Sequence, residues 1–150
     1  MPHGSVTRVI PANAGRVFDI IHDYPNRLKW DTLLQAAYLE SPHTSANVGV
    51  TSVCKGRALL GGIALRTQYV SFQRGVVAAV KMLNQPPFFG AWAASIRHTS
   101  IDETHSEVTY TYQFTARPAW LQWLLHPIMG AVFRWETRRR LDALARYALL

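Results

Sequence analysis

The sequence predicts an α+β fold in which an antiparallel sheet is covered by one long C-terminal helix, with two short helices after the first strand. Three observations carry this. From Val50 onward, apolar runs alternate with turn residues, the pattern of an antiparallel meander. Ahead of the meander, a short strand over residues 5–10 leads into two brief helical segments. Behind it, residues 127–150 keep a helical period: Gly130, Phe133, Thr137, Leu141, Leu144 and Ala148 fall on one stripe roughly 80° wide at ~100° per residue.

Taken in order, Pro11 ends the first strand, and Asn13 can cap a helix running to Ile21 whose apolar side is Val17, Phe18, Ile20 and Ile21. Asp23-Tyr24-Pro25-Asn26 breaks that helix, and residues 26–30 fit a second short helical turn. A strand over 33–39 precedes a polar loop over 41–47. The meander strands are placed at 50–58, 63–72, 76–84, 92–101 and 107–116. Gly61-Gly62, Arg74-Gly75, an apolar connection over 85–90 and a turn over 102–105 join them. In the last strand Val108, Tyr110, Tyr112 and Phe114 alternate with Thr109, Thr111 and Gln113, so one face is large and aromatic and needs a cover.

The terminal helix is that cover. Pro127 suits its first turn, where a missing N–H is no loss, and a short turn over 120–125 precedes it. Its outer side carries Arg138, Arg139, Asp142 and Arg146. Glu136 with Arg140 and Asp142 with Arg146 are acid-before-base surface pairs worth ~0.3 kcal/mol each.

A chain of 150 residues with 49% hydrophobic content fits one domain, residues 1–150, able to bury a core without metal or disulfide. One cysteine, Cys54, excludes an internal disulfide and is compatible with a reducing compartment, so the expected location is cytoplasmic. The opening residues lack the basic flank and apolar run of an export signal, and the charge-free stretch 118–133 is shorter than a membrane span needs. The net charge of +7 invites an anionic partner. Its arginines are scattered, however, and the run Arg138-Arg139-Arg140 fans out around a helix, so nucleic acid is not the expected partner.

The order strand, two short helices, six strands, long helix resembles the helix-grip fold of the START/Bet v 1-like superfamily, also called SRPBCC. The resemblance is carried by Val9-Ile10-Pro11-Ala12 leading into Arg16-Val17-Phe18-Asp19-Ile20-Ile21, and by Asp23-Tyr24-Pro25-Asn26-Arg27 with Trp30. These look like the opening of the polyketide cyclase/dehydrase and coenzyme Q-binding branches. Phe89-Gly90-Ala91-Trp92, Ser106-Glu107-Val108-Thr109-Tyr110 and the segment from Phe133 to Leu144 are similar to the later strands and helix. The resemblance implies a curved sheet gripping the helix around an apolar cavity, in a family whose members mostly bind or carry lipids, sterols, quinones or polyketides.

Catalytic constellations are thin. There is no Gly-x-Ser-x-Gly, P-loop, dinucleotide fingerprint or Cys-x-x-Cys, and the six histidines never take the i, i+4 spacing of a helical metal pair. No cofactor and no metal are therefore expected. His22-Asp23 is tempting as a base and its orienter, but neighbours on a helix end point apart, and a cap or surface role is expected for His22. By strand parity Arg66 faces solvent if Leu65 and Tyr69 face inward; a one-residue bulge would bring it inside as a cation able to polarise a ligand carbonyl. No catalytic residue is assigned.

Parity and the helix stripe predict a ligand cavity lined by Leu65, Tyr69, Val80, Met82, Trp92, Ile96, Tyr110, Tyr112, Phe114, Met129 and Phe133, with Trp30 near its mouth. Three functions compete: a carrier or sensor of a hydrophobic small molecule, a polyketide cyclase or dehydratase, and an interaction protein binding RNA or ribosomes. Ile128, Val132 and Trp135 fall outside the core stripe and form an apolar patch beside Arg138 and Arg139. Such a patch fits an anionic membrane surface or a homodimer contact; it is also explained if residues 120–125 fold over it or an arginine covers Trp135. The chain is expected as a monomer or homodimer.

Overall fold

A computed structural model describes residues 2–42, 44–56 and 63–149. Seven antiparallel strands form one sheet: β1 His3–Ile10, β2 Leu34–Leu39, β3 Thr51–Gly56, β4 Ala64–Gln73, β5 Val77–Met82, β6 Phe89–Asp102 and β7 His105–Ala116. Their order across the sheet is β1-β7-β6-β5-β4-β3-β2, so β1 is carried past the meander to the far side of its last strand. The expected end of β3 at 57–58 and the Gly61-Gly62 turn lie outside the described residues.

β7 follows the sequence alternation residue for residue. Ser106, Val108, Tyr110, Tyr112, Phe114 and Ala116 are buried on one face. Helix α1, Ala14–His22, starts where Asn13 Oδ1 accepts the backbone N–H of Arg16 at 2.9 Å. A 3-10 segment over Tyr24–Lys29 follows. The last helix, α2, spans Gln122–Ala148 and lies on β7 and β1. Of the predicted stripe, Phe133, Thr137, Leu141, Leu144 and Ala148 are buried and Gly130 is half-buried. Leu141→Ala is expected to cost about 2–5 kcal/mol in urea unfolding, because the fully enclosed site cannot refill.

The helix begins earlier than expected, and Pro127 sits inside it. Proline at that position gives no N–H to the carbonyl of Trp123, yet its ring is exposed and displaces no packing. The first turn is held from outside: Gln122 Nε2 donates to the Ala116 carbonyl at 3.1 Å, and His126 Nε2 accepts the Ala116 N–H at 3.1 Å. These tertiary anchors override the breaker. Asp142 pairs with Arg8 of β1 rather than with Arg146.

A bulge does occur in β4, between Tyr69 and Ser71, downstream of Arg66. It switches the inward face from Leu65, Thr67 and Tyr69 to Phe72, whose ring meets Phe18, His22 and Tyr69 at centroid distances of 5.0 to 5.4 Å. Arg66 therefore stays outside and pairs with Glu40, its Nε 2.6 Å from Oε1.

Candidate functional site

The sheet and α2 enclose a cavity of about 320 Å³. Its sheet wall comprises Ser52 and Cys54 of β3, Leu65, Thr67 and Tyr69 of β4, Ala78 and Val80 of β5, Trp92, Ala94 and Ile96 of β6, and Tyr110 of β7. Ile21, His22, Tyr24, Arg27 and Leu34 close one end; Leu125, Met129, Phe133, Glu136 and Arg140 project from α2. Phe88, Ile128 and Val132 also line it while exposed to solvent, which locates the mouth beside the first half of α2. Phe88 has φ 69°, a costly conformation for a bulky residue, and its ring points outward while Phe89 enters the core.

Arg27, Glu136 and Arg140 of the cavity lining form a charged cluster with the buried Asp31. Asp31 Oδ2 accepts from Arg27 Nε at 3.0 Å and from Arg140 Nε at 2.8 Å. Arg27 Nη1 reaches the Ile21 carbonyl at 2.9 Å, and Arg140 Nη2 reaches Glu136 Oε1 at 2.8 Å. Burial penalises the Asp31 carboxylate, but Arg140 and Arg27 outweigh that penalty and hold it below the usual carboxylate range. Burial likewise opposes the charge on both guanidiniums, and the carboxylates win, Asp31 foremost, so both stay cationic. Tyr110 stands beside this cluster, with burial pushing its phenol up to about 12. Cys54 is also close by; burial raises its thiol, which leaves it protonated and a poor nucleophile.

A second polar chain runs along the α1 side. His22 Nδ1 is hydrogen-bonded to Tyr69 Oη at 2.7 Å, and Tyr69 Oη to Tyr24 Oη at 2.8 Å, while Ser52 and Thr67 pair at 2.8 Å. Burial, helped by the Arg27 charge and by His98, lowers His22 to about 3, so the ring is neutral at pH 7. The surface or capping role expected for His22 is thus replaced by an enclosed one, because α1 turns its last residue toward β4. Asp23 takes no part, accepting instead from Asn26 Nδ2 at 2.7 Å. His98, farther along the inner face of β6, packs on Phe18 with centroids 5.4 Å apart; burial lowers it to about 4, and neither ring nitrogen has a partner among the described residues.

Of the residues placed on the cavity from sequence, Leu65, Tyr69, Val80, Trp92, Ile96, Tyr110, Met129 and Phe133 meet on its wall. Tyr112 and Phe114 point inward but are covered by Phe133, whose ring lies 5.6 and 4.9 Å from theirs. Met82, at the end of β5, packs against the core instead. Trp30 is not at the mouth: the 3-10 turn places it in the core, with the Arg27 guanidinium 4.9 Å over its ring.

Ile128 and Val132, expected on the outer face, border the mouth, and Trp135 lies under Arg139 at 5.3 Å. Residues 120–125 do not fold over that patch, since Trp120 and Trp123 are 75% and 76% exposed. The three-arginine run divides: Arg140 inward, Arg139 on Trp135, Arg138 in solvent.

The charged cluster escaped the sequence reading, although one signal was present. Arg140 follows Phe133 by seven and precedes Leu144 by four, which puts it on the buried stripe. The Glu136–Arg140 pair is accordingly part-buried rather than superficial. Among the described residues no group of three His, Cys, Asp or Glu side chains could hold a metal. The arginine, tyrosine, serine and threonine side chains of the lining are hydrogen-bond donors.

No curated protein matches the sequence significantly. Solved structures do. Zhui aromatase/cyclase from a Streptomyces species superposes with TM-score 0.82 at 15% identity, covering 97% of this chain and 92% of that one. A START superfamily protein from Mycobacterium smegmatis gives TM-score 0.76 at 8% identity, covering 98% and 99%. XoxI from Bacillus cereus gives 0.77 at 15%, covering 99% and 96%. At such identities the likeness shows the fold, a helix-grip. The profile of the family described as polyketide cyclase / dehydrase and lipid transport matches residues 1–149. The chain belongs to that family.

Proposed function

We propose that the protein binds and carries a hydrophobic small molecule in this cavity. The supporting observation is a space of about 320 Å³ whose walls are mostly apolar with a minority of polar side chains. Native mass spectrometry of protein purified from its source, followed by solvent extraction, tests this. A stoichiometric copurified lipid, quinone or polyketide-like molecule is expected; consistently empty protein that also takes up none when offered would refute the reading.

Delivery calls for a docking side, and the mouth supplies a reason to place it there. Trp120, Trp123, Leu124 and Ile128 are exposed around the first turns of α2, with Arg134 and Arg138 exposed on the turns that follow. Aromatic residues beside cations suit the interface of an anionic membrane. Replacing Trp120 and Trp123 together by Ser is expected to cut sedimentation with phosphatidylglycerol vesicles by about tenfold or more. Unchanged sedimentation would remove the membrane from the account.

A polyketide cyclase or dehydratase is the second reading, favoured by the Arg27 and Arg140 donors within the same cavity. Turnover of a linear polyketide would establish it over the carrier.

A further inference from the structure

Resting on the reading of the cavity as a small-molecule site, we propose that its buried end recognises a neutral oxygen function, a carbonyl or hydroxyl, at the leading end of an otherwise apolar ligand. Asp31, Glu136 and the Ile21 carbonyl account for Nε and Nη1 of Arg27 and for Nε and Nη2 of Arg140. Arg27 Nη2, Arg140 Nη1 and the Tyr110 hydroxyl are left without a hydrogen-bond partner among the described residues. Among the described residues the fully enclosed side-chain nitrogen and oxygen atoms without partners belong to His22, Trp30, Trp92 and His98, not to these three groups. Arg27, Arg140 and Tyr110 all line the cavity, which places these spare donors at its wall.

The charge balance selects the kind of oxygen. Two guanidiniums face two carboxylates, so the cluster is neutral while the cavity is empty. A carboxylate ligand would leave one net negative charge in a poorly solvated site, whereas a carbonyl or hydroxyl accepts the spare hydrogen bonds without upsetting the balance. Among the described residues Glu136 accepts one hydrogen bond, through Oε1, leaving its other oxygen to accept from a ligand hydroxyl. Stability alone does not call for such a cluster, because apolar side chains of similar volume commonly do as well.

Four matched compounds test the proposal by displacing the neutral reporter N-phenyl-naphthylamine at neutral pH: octylbenzene, para-octylphenol, para-octylacetophenone and para-octylbenzoate. The phenol and ketone are expected to bind about tenfold more tightly than octylbenzene, and the benzoate no more tightly. Tyr110→Phe, which keeps the ring, should weaken the ketone roughly three- to tenfold and leave octylbenzene unchanged. Glu136→Gln gives the cluster one net positive charge and should raise benzoate affinity about tenfold. Equal binding of all four compounds to the natural protein, or benzoate as its tightest ligand, would overturn the neutral-oxygen assignment while leaving the cavity reading intact. Failure of the reporter and all four to bind would remove the cavity reading, and this inference with it.

Discussion

Asp31→Ala is expected to lower the unfolding free energy by about 3–5 kcal/mol, and with it the thermal midpoint by roughly 10–15 °C. The carboxylate is fully buried and one oxygen serves both Arg27 and Arg140, 3.0 and 2.8 Å away. Its removal leaves two guanidiniums close together in a site where neither can regain full hydration. Asp31→Asn, which keeps the shape but not the charge, should fall between the variant and the natural protein. Arg66→Ala is the contrasting case. Its pair with Glu40 is as short but exposed, so denaturation should hardly change. Equal losses for Asp31 and Arg66 variants would mean that burial does not set the worth of these pairs.

Acid is expected to destabilise the protein well before its carboxylates titrate. An unfolded histidine takes up its proton as the pH falls through about 6.5, whereas the folded rings resist until about 3 for His22 and about 4 for His98. Across that window the unfolded chain binds more protons, so the stabilisation is complete above pH 6.5 and declines steadily toward pH 4. At ~1.36 kcal/mol per pH unit, each ring accounts for about 3 kcal/mol by then, together a large share of a typical domain's stability. His98→Leu should abolish its part of the slope without loss at neutral pH, since neither ring nitrogen has a partner among the described residues. A urea midpoint that stays flat between pH 7 and pH 4.5 would contradict this.

Much of the fold was legible because its strands alternate cleanly. The inward set of β7 and the helix stripe from Phe133 to Ala148 came from period alone and match the burial. The site was legible only in outline. Parity tells which way Tyr110, Tyr112 and Phe114 point, but not that Phe133 fills the space over the latter two while Tyr110 remains on the cavity. That distinction depends on how far α2 stands off the sheet. The helix start was misplaced because Gln122 and His126 anchor its first turn on Ala116, contacts no local rule contains. The charged cluster was missed because charge was read as surface, although Arg140 occupied a buried position of the stripe and Arg27 stood four residues before Asp31.

The central claim is that the space between sheet and helix holds an apolar molecule. Ile96 is half-buried on its wall, and Ile96→Trp would project an indole ring into the space. Titration of N-phenyl-naphthylamine into both proteins, with folding verified by circular dichroism, is the most direct test. The account predicts saturable one-to-one binding to the natural protein and its loss in the folded Ile96→Trp variant; absence of saturable binding to the natural protein, or undiminished binding to the variant, would contradict it.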